Sequence, residues 1–76
     1  MTATAHPTTQ SLTPREREIV NLVAHGLRNA EVGRRLFISE VTVKSHIGHI
    51  FTKLGLRDRA AAIVFAFDNG LVAPQR

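Results

Sequence analysis

The sequence lacks the features that would place it among disulfide-rich, membrane or secreted proteins. None of its 76 residues is cysteine, which excludes disulfides and thiolate metal sites. No apolar run approaches the roughly 20 residues that cross a bilayer, and the polar residues 1–11 have no signal-peptide centre. We therefore expect a soluble, cytoplasmic protein.

Residues that would carry catalysis are equally scarce. His46 and His49 lie one helical turn apart and could share a metal, but no carboxylate lies one turn away on the same face. No nucleophile constellation and no glycine-rich phosphate loop is present. The sequence therefore predicts neither a metal nor a cofactor, and an enzyme is the weaker alternative. The plausible general bases are His6, His25, His46 and His49,.

The positive charge is concentrated in one segment. The chain has ten Lys and Arg against six Asp and Glu, a formal net charge of +4. Residues 28–59 hold seven of the basic and three of the acidic side chains, while the remaining charges balance. A basic central segment favours a polyanionic partner such as nucleic acid.

Local capping signals predict the first helix. Thr13 and Glu16 are three positions apart, the spacing of a capping box, and Pro14 between them suits the first helical position. The helix is expected to end at Gly26, because glycine readily adopts the left-handed conformation that terminates helices.

A second, short helix is expected to begin with Asn29 as its N-cap. Phe37 and Ile38 are predicted to close this helix into the core. Gly33 is a poor helix former. Close approach to a neighbouring helix would explain it, and a neutral accident is the alternative.

Two further helices complete the predicted fold. Ser39 is predicted to cap a third helix, 39–54, and Asp58 to cap a fourth that Gly70 terminates. Since no strand signal is present, the sequence predicts an all-α, four-helix fold with a three-helix core, a tight helix-turn-helix and a C-terminal dimerisation helix. The predicted divisions are a disordered tail or linker remnant at 1–11, the domain at 12–72 and a C-terminal tail at 73–76.

The third helix has two opposite faces. An apolar residue recurs every three or four positions from Val43 to Leu54, which predicts one buried stripe. The opposite face has no acidic side chain. Lysine, serine and valine side chains there can read base edges in a major groove, and a glycine permits close approach. The predicted base contacts are Val41, Lys44, Ser45 and Gly48.

Groups around that face are predicted to hold DNA phosphates. The first turn of the third helix offers free amides, and basic side chains flank it. Capping is the expected primary role of Ser39 and Asn29. The predicted phosphate contacts are Asn29, Ser39, Thr42, His46, Lys53 and Arg57.

Together these segments resemble the LuxR-type (NarL/FixJ, GerE-like) helix-turn-helix, the C-terminal output domain of response regulators and quorum-sensing regulators. The resemblance implies a sequence-specific regulator of transcription that binds double-stranded DNA, with Lys44 at the groove and RNA polymerase as a further partner. Arg28 and Val32-Gly33 depart from the residues usual in the family, off the recognition face. The matching segments are Leu12–Glu18, Val23–Gly26, Asn29–Glu31, Ser39–His46 and Lys53–Gly55.

The fourth helix supports dimerisation independently. Residues 60–67 are apolar without interruption, and a surface helix that is apolar all round requires a second partner. The simplest partner is another copy of the chain, in a pairing that is weak or DNA-dependent. The alternative is that both phenylalanines reach the core around a bent helix. The predicted interface is Ala60, Ile63, Val64 and Phe67.

Two non-enzymatic alternatives share these features. The promoter −35-reading region of a sigma factor has a similar helix-turn-helix, although the turn at Lys53–Arg59 and the apolar helix after it favour the LuxR type. A basic interaction module would instead meet an acidic protein. Binding to duplex DNA that weakens steeply with salt would distinguish the DNA-binding interpretation from the interaction module.

Overall fold

The computed structural model describes residues 11–72, and within them the chain forms four α-helices and no strand. α1 packs against the other three helices, and α2 also packs against α3. This confirms the predicted all-α helix-turn-helix architecture. The tails predicted at 1–11 and 73–76 lie outside the described residues, apart from Ser11. The helices are α1 (Pro14–Ala24), α2 (Asn29–Leu36), α3 (Glu40–Leu54) and α4 (Arg59–Asp68).

Side-chain caps fix the starts of three helices. At α1 the Thr13 hydroxyl accepts the Glu16 amide at 3.1 Å, and the Glu16 carboxylate accepts the Thr13 amide at 2.9 Å. Ser39 and Asp58 likewise accept amide hydrogen bonds at the starts of α3 and α4, at 3.0 and 2.9 Å. Each cap satisfies a backbone donor that has no partner inside its helix.

The start of α2 differs from the prediction. The N-cap is Arg28, whose amide donates to the Glu31 carboxylate at 2.7 Å. Asn29 is instead the first helical residue, and its amide oxygen accepts a hydrogen bond from Arg59 at 3.0 Å. The Asn29 side chain is therefore drawn toward α4 and does not cap its own helix.

The end of α2 also differs from the prediction. Phe37 was expected in the core but is 93% exposed, whereas Ile38 is half-buried against the core. Phe37 adopts a left-handed conformation (φ 60°, ψ 41°), which turns the chain so that the next residue reaches the core. Such a conformation costs a non-glycine residue roughly 1–2 kcal/mol. Glycine takes the positive φ near the ends of the other helices, at Gly26, Gly55 and Gly70.

Gly33 is required by the tight turn between α2 and α3. A Cβ atom at this position would lie 2.7 Å from the Ile38 carbonyl oxygen and 3.5 Å from a methyl group of Val43. The expected close approach therefore exists, chiefly to the backbone of the turn. A side chain here would separate α2 from α3.

The core determines which face of α3 is exposed. Val43, Ile50 and Leu54 are buried and Ile47 is half-buried, so the predicted stripe packs inward. Because these residues lie on one side of the helix, the opposite side of α3 faces solvent. The remaining buried apolar residues are Leu12, Ile19, Val20, Val23, Val32, Ala62, Ala66 and Val72.

Residues 11–72 contain neither a membrane-spanning helix nor a metal-binding cluster. No helix within 11–72 is long and apolar enough to span a membrane. The same part of the chain holds no cluster of three or more metal-binding side chains.

Candidate nucleic-acid interface

The exposed face of α3 brings the four predicted base-contacting residues together. Val41 is 74% exposed, and Lys44, Ser45 and Gly48 are also exposed. The Lys44 ammonium makes no ion pair or hydrogen bond within residues 11–72. This face therefore presents a cationic donor, a hydroxyl and an apolar side chain to an external partner.

Gly48 lies on this face without a structural reason within the domain. A Cβ atom built there would meet no heavy atom within 4 Å, in contrast to Gly33. Glycine inside a helix is less favourable than alanine by roughly 0.5–1 kcal/mol. The fold therefore loses stability at Gly48 and gains no packing in return.

The first turn of α3 leaves one hydroxyl donor available. Ser39 accepts the Thr42 amide at 3.0 Å and donates its own hydroxyl hydrogen to Thr42 Oγ1 at 2.9 Å. Because a hydroxyl has a single hydrogen, Ser39 has no donor left for a phosphate. The Thr42 hydroxyl hydrogen is free in this arrangement, and both residues are exposed.

Asn29 presents a donor at the start of α2. Its amide oxygen accepts from Arg59, and Arg59 also donates to the Leu27 carbonyl at 2.6 Å. No hydrogen bond within residues 11–72 uses the Asn29 amide nitrogen, so this group is available to an external acceptor.

Lys53 ties the end of α3 to the start of α1 while its side chain remains 35% exposed. Its ammonium donates to the Glu16 carboxylate at 2.8 Å and to the Ser11 carbonyl at 3.0 Å. The hydrogen bond from Lys53 and that from the Thr13 amide lower the pKa of Glu16, because both favour the carboxylate,. The last turn of α3 is thereby joined to the start of α1, and one of the three ammonium hydrogens has no acceptor within residues 11–72,.

The other predicted phosphate contacts differ in exposure. Arg57 is exposed in the α3–α4 connection and makes no ion pair within residues 11–72. His46 is half-buried on α3, at the border between the core and the outer face. Arg57 is thus an available cation, whereas the His46 side chain is only partly accessible.

α4 has two distinct apolar sides. Ala62 and Ala66 are buried against the domain, while Val64 is 58% and Phe67 is 42% exposed. Phe65 packs against the core, so only one of the two phenylalanines turns inward. The outer stripe, at positions 60, 63, 64 and 67, follows helical spacing. It consists of three exposed residues, Ala60, Val64 and Phe67, and of half-buried Ile63.

Comparison with known proteins identifies the family. Residues 10–66 match the family described as bacterial regulatory proteins, luxR family. The chain belongs to the LuxR family. Residues 10–66 are a helix-turn-helix DNA-binding domain of the kind that transcription regulators carry, which confirms the predicted class of function over an enzyme.

Relatives in the LuxR family are considerably longer. The transcriptional regulatory protein LiaR of Bacillus subtilis is 51% identical over 63 residues, which cover 83% of this chain and 30% of LiaR. The nitrate/nitrite response regulator protein NarL of Escherichia coli is 46% identical over 63 residues, which cover 83% of this chain and 29% of NarL. The chain thus spans less than a third of either relative.

The sequence did not predict a role for one residue of this LuxR-family domain, Arg59. Arg59 is the first residue of α4, where the helix dipole disfavours a cation. That local conflict was a usable signal that the guanidinium serves a contact elsewhere. The structure gives the contact, since Arg59 joins α4 to Leu27 and Asn29.

Proposed function

We propose that α3 enters the major groove of duplex DNA and reads base edges through Val41, Lys44, Ser45 and Gly48. The main support is the position of Lys44 on the exposed face of α3, opposite the buried stripe. Its ammonium has no partner within residues 11–72. A lysine ammonium donates to guanine N7 and O6, and a valine contacts the thymine methyl group. These are the contacts through which a helix distinguishes sequences.

The phosphate contacts that we propose come from both sides of α3. Thr42 supplies a free hydroxyl beside the open amides of the first turn of α3, and Asn29 supplies an amide donor from α2,. Arg57 adds an exposed cation, and His46 borders the face. Lys53 keeps one ammonium hydrogen beyond its bonds to Ser11 and Glu16 and remains a proposed phosphate contact,. Ser39 is proposed to act mainly as the cap of α3, because its single hydroxyl hydrogen is donated to Thr42.

The outer stripe of α4 supports pairing of two such domains. A second copy would cover Val64 and Phe67 by an isologous contact, in which each helix buries the same residues of the other. We propose that this pairing presents two α3 helices to one operator. No feature of residues 11–72 identifies a surface for RNA polymerase.

The relatives suggest the wider context. NarL carries a response regulator's name, and this chain corresponds to less than a third of its length. We propose that the domain serves as the output part of a larger regulator of the same kind, acting in the cytoplasm where the chromosome lies.

Gly48→Ala is expected to separate stability from binding. The variant should be more stable by roughly 0.5–1 kcal/mol, because alanine is the better helix former. Its affinity for DNA should fall, because the added methyl group stands where the helix approaches the bases. Denaturant unfolding measures the first effect, and titration of a labelled duplex measures the second.

The matched control for Gly48→Ala is Gly33→Ala. The same methyl group added at Gly33 meets the Ile38 carbonyl, so this variant should lose stability instead. If Gly48→Ala binds DNA as tightly as the parent, then the face around Gly48 does not approach the bases.

Selection of bound sequences from random duplexes tests the proposed function directly. We expect enrichment of a short motif that occurs twice with two-fold symmetry, as a paired reader requires. The affinity should fall steeply with salt, since each neutralised phosphate contributes a slope of roughly −0.9 in log affinity against log salt. Absence of enrichment together with salt-independent binding would overturn the proposal.

A further inference from the structure

Arg59 joins the start of α4 to the start of α2 by direct hydrogen bonds. It is the first residue of α4, which packs mainly against α1, whereas α2 packs mainly against α3. One guanidinium nitrogen donates to the Leu27 carbonyl at 2.6 Å, and the other donates to the Asn29 amide oxygen at 3.0 Å. The planar fork of the guanidinium therefore spans from α4 to the connection before α2 and to the first residue of α2.

The chemistry of this contact fixes which way the Asn29 amide faces. A guanidinium group has donors only, so the oxygen of the amide must face Arg59. The amide nitrogen, with its two hydrogens, then points away from Arg59. No hydrogen bond within residues 11–72 uses that nitrogen, and the half-buried Asn29 has little freedom to turn while its oxygen is held.

The local charges agree with an anion near this amide. Arg28 is 85% exposed at its side chain and lies next to Asn29, and the nearby Glu31 carboxylate is already paired with Arg28, at 3.6 Å from its Nε. Arg34 lies exposed in the last turn of α2. Within residues 28–34, the two cations Arg28 and Arg34 thus outnumber the one carboxylate, Glu31, which is itself paired.

We propose that Arg59 is a positioning residue for DNA binding, which turns the Asn29 amide so that its nitrogen donates to a DNA phosphate. This inference rests on the proposed function and adds a residue that does not itself touch DNA. It also places the phosphate contact next to the pairing helix, because the outer stripe of α4 begins at Ala60, directly after Arg59.

A double-mutant cycle with Arg59→Met and Asn29→Ala tests the proposal on a duplex obtained by selection. Each single variant should lose about tenfold in affinity, the size expected when a hydrogen bond to a charged group is removed. The double variant should bind no worse than either single variant, because both changes remove the same phosphate contact. Helicity and unfolding midpoints, measured alongside, give the folded fraction used to correct each affinity.

The salt dependence separates positioning from direct contact. If Arg59 only positions Asn29, Arg59→Met should leave the slope of log affinity against log salt equal to that of Asn29→Ala. If Arg59 contacts a phosphate directly, Arg59→Met should instead make the negative slope shallower by about 1. That result, or strictly additive losses in the cycle, would overturn the proposal.

Further variants keep the test decisive. If Arg59→Met fails to fold, Arg59→Lys retains the charge and one donor. Its smaller loss should disappear in the Asn29→Ala background, and persistence of the loss there would contradict the proposal. If Lys44→Ala impairs binding while the Arg59 and Asn29 variants do not, the proposed function stands and this inference fails. If the parent domain binds no duplex, the proposed function itself fails.

Discussion

Lys44→Ala is expected to lower affinity for the selected duplex by about ten- to hundredfold, the value of one good bidentate contact to a base. Among the four residues of the outer face of α3, Lys44 is the one that carries a positive charge, and its ammonium has no partner within residues 11–72. Its removal therefore leaves the fold intact while it takes away the main means of recognising guanine. Titration of the selected duplex and of a scrambled duplex measures affinity and preference together.

The control for Lys44→Ala must remove the same charge from another surface. Arg15→Ala does so on α1, where Arg15 forms an exposed pair with Glu18 at 3.5 Å. Such exposed pairs contribute only about 0–1 kcal/mol, so the variant should fold normally and lose little affinity. Circular dichroism should show unchanged helicity for both variants. If Lys44→Ala keeps the preference of the parent, the interface lies on another face.

The sequence predicted helix starts well where the signal was local. Thr13, Ser39 and Asp58 each cap an amide three residues ahead, so all the information lies within one turn. The inner and outer faces of α3 followed from periodicity for the same reason. A residue's side of a helix depends on its position relative to the buried stripe, and Val43 and Leu54 defined that stripe.

The sequence interpretation failed where distant residues decide the outcome. Asn29 resembled an N-cap, but Arg59, 30 positions away, binds its oxygen. Lys53 was predicted to contact a phosphate, which stays a prediction, but its pairing with Glu16, 37 positions away, was not foreseen. Neither partner is identified by spacing, because both contacts depend on how the helices pack. Phe37 failed for a different reason, since periodicity does not reveal a left-handed residue at a helix end.

Phe67→Asp is expected to shift the domain strongly toward monomer and to remove cooperative binding to a two-fold symmetric duplex. In a pair formed through the outer stripe of α4, the new carboxylate of each copy would be buried against Val64 and position 67 of the other copy. The stripe contains no basic side chain that could pair with it. Burying an unpaired charge is costly enough that the interface would open instead. Sedimentation of the free domain and binding curves on one and two half-sites measure the change.

Comparison with Phe67→Leu and Val64→Asp makes the result specific to the stripe. Phe67→Leu keeps an apolar side chain and should retain pairing, whereas Val64→Asp places the charge one turn earlier and should also abolish it. All three variants should keep the helicity of the parent, because Val64 and Phe67 are 58% and 42% exposed. If Phe67→Asp unfolds the domain, Phe67 belongs to the core. If it folds and still pairs, two copies meet through another surface, and the distance between their α3 helices must be set elsewhere.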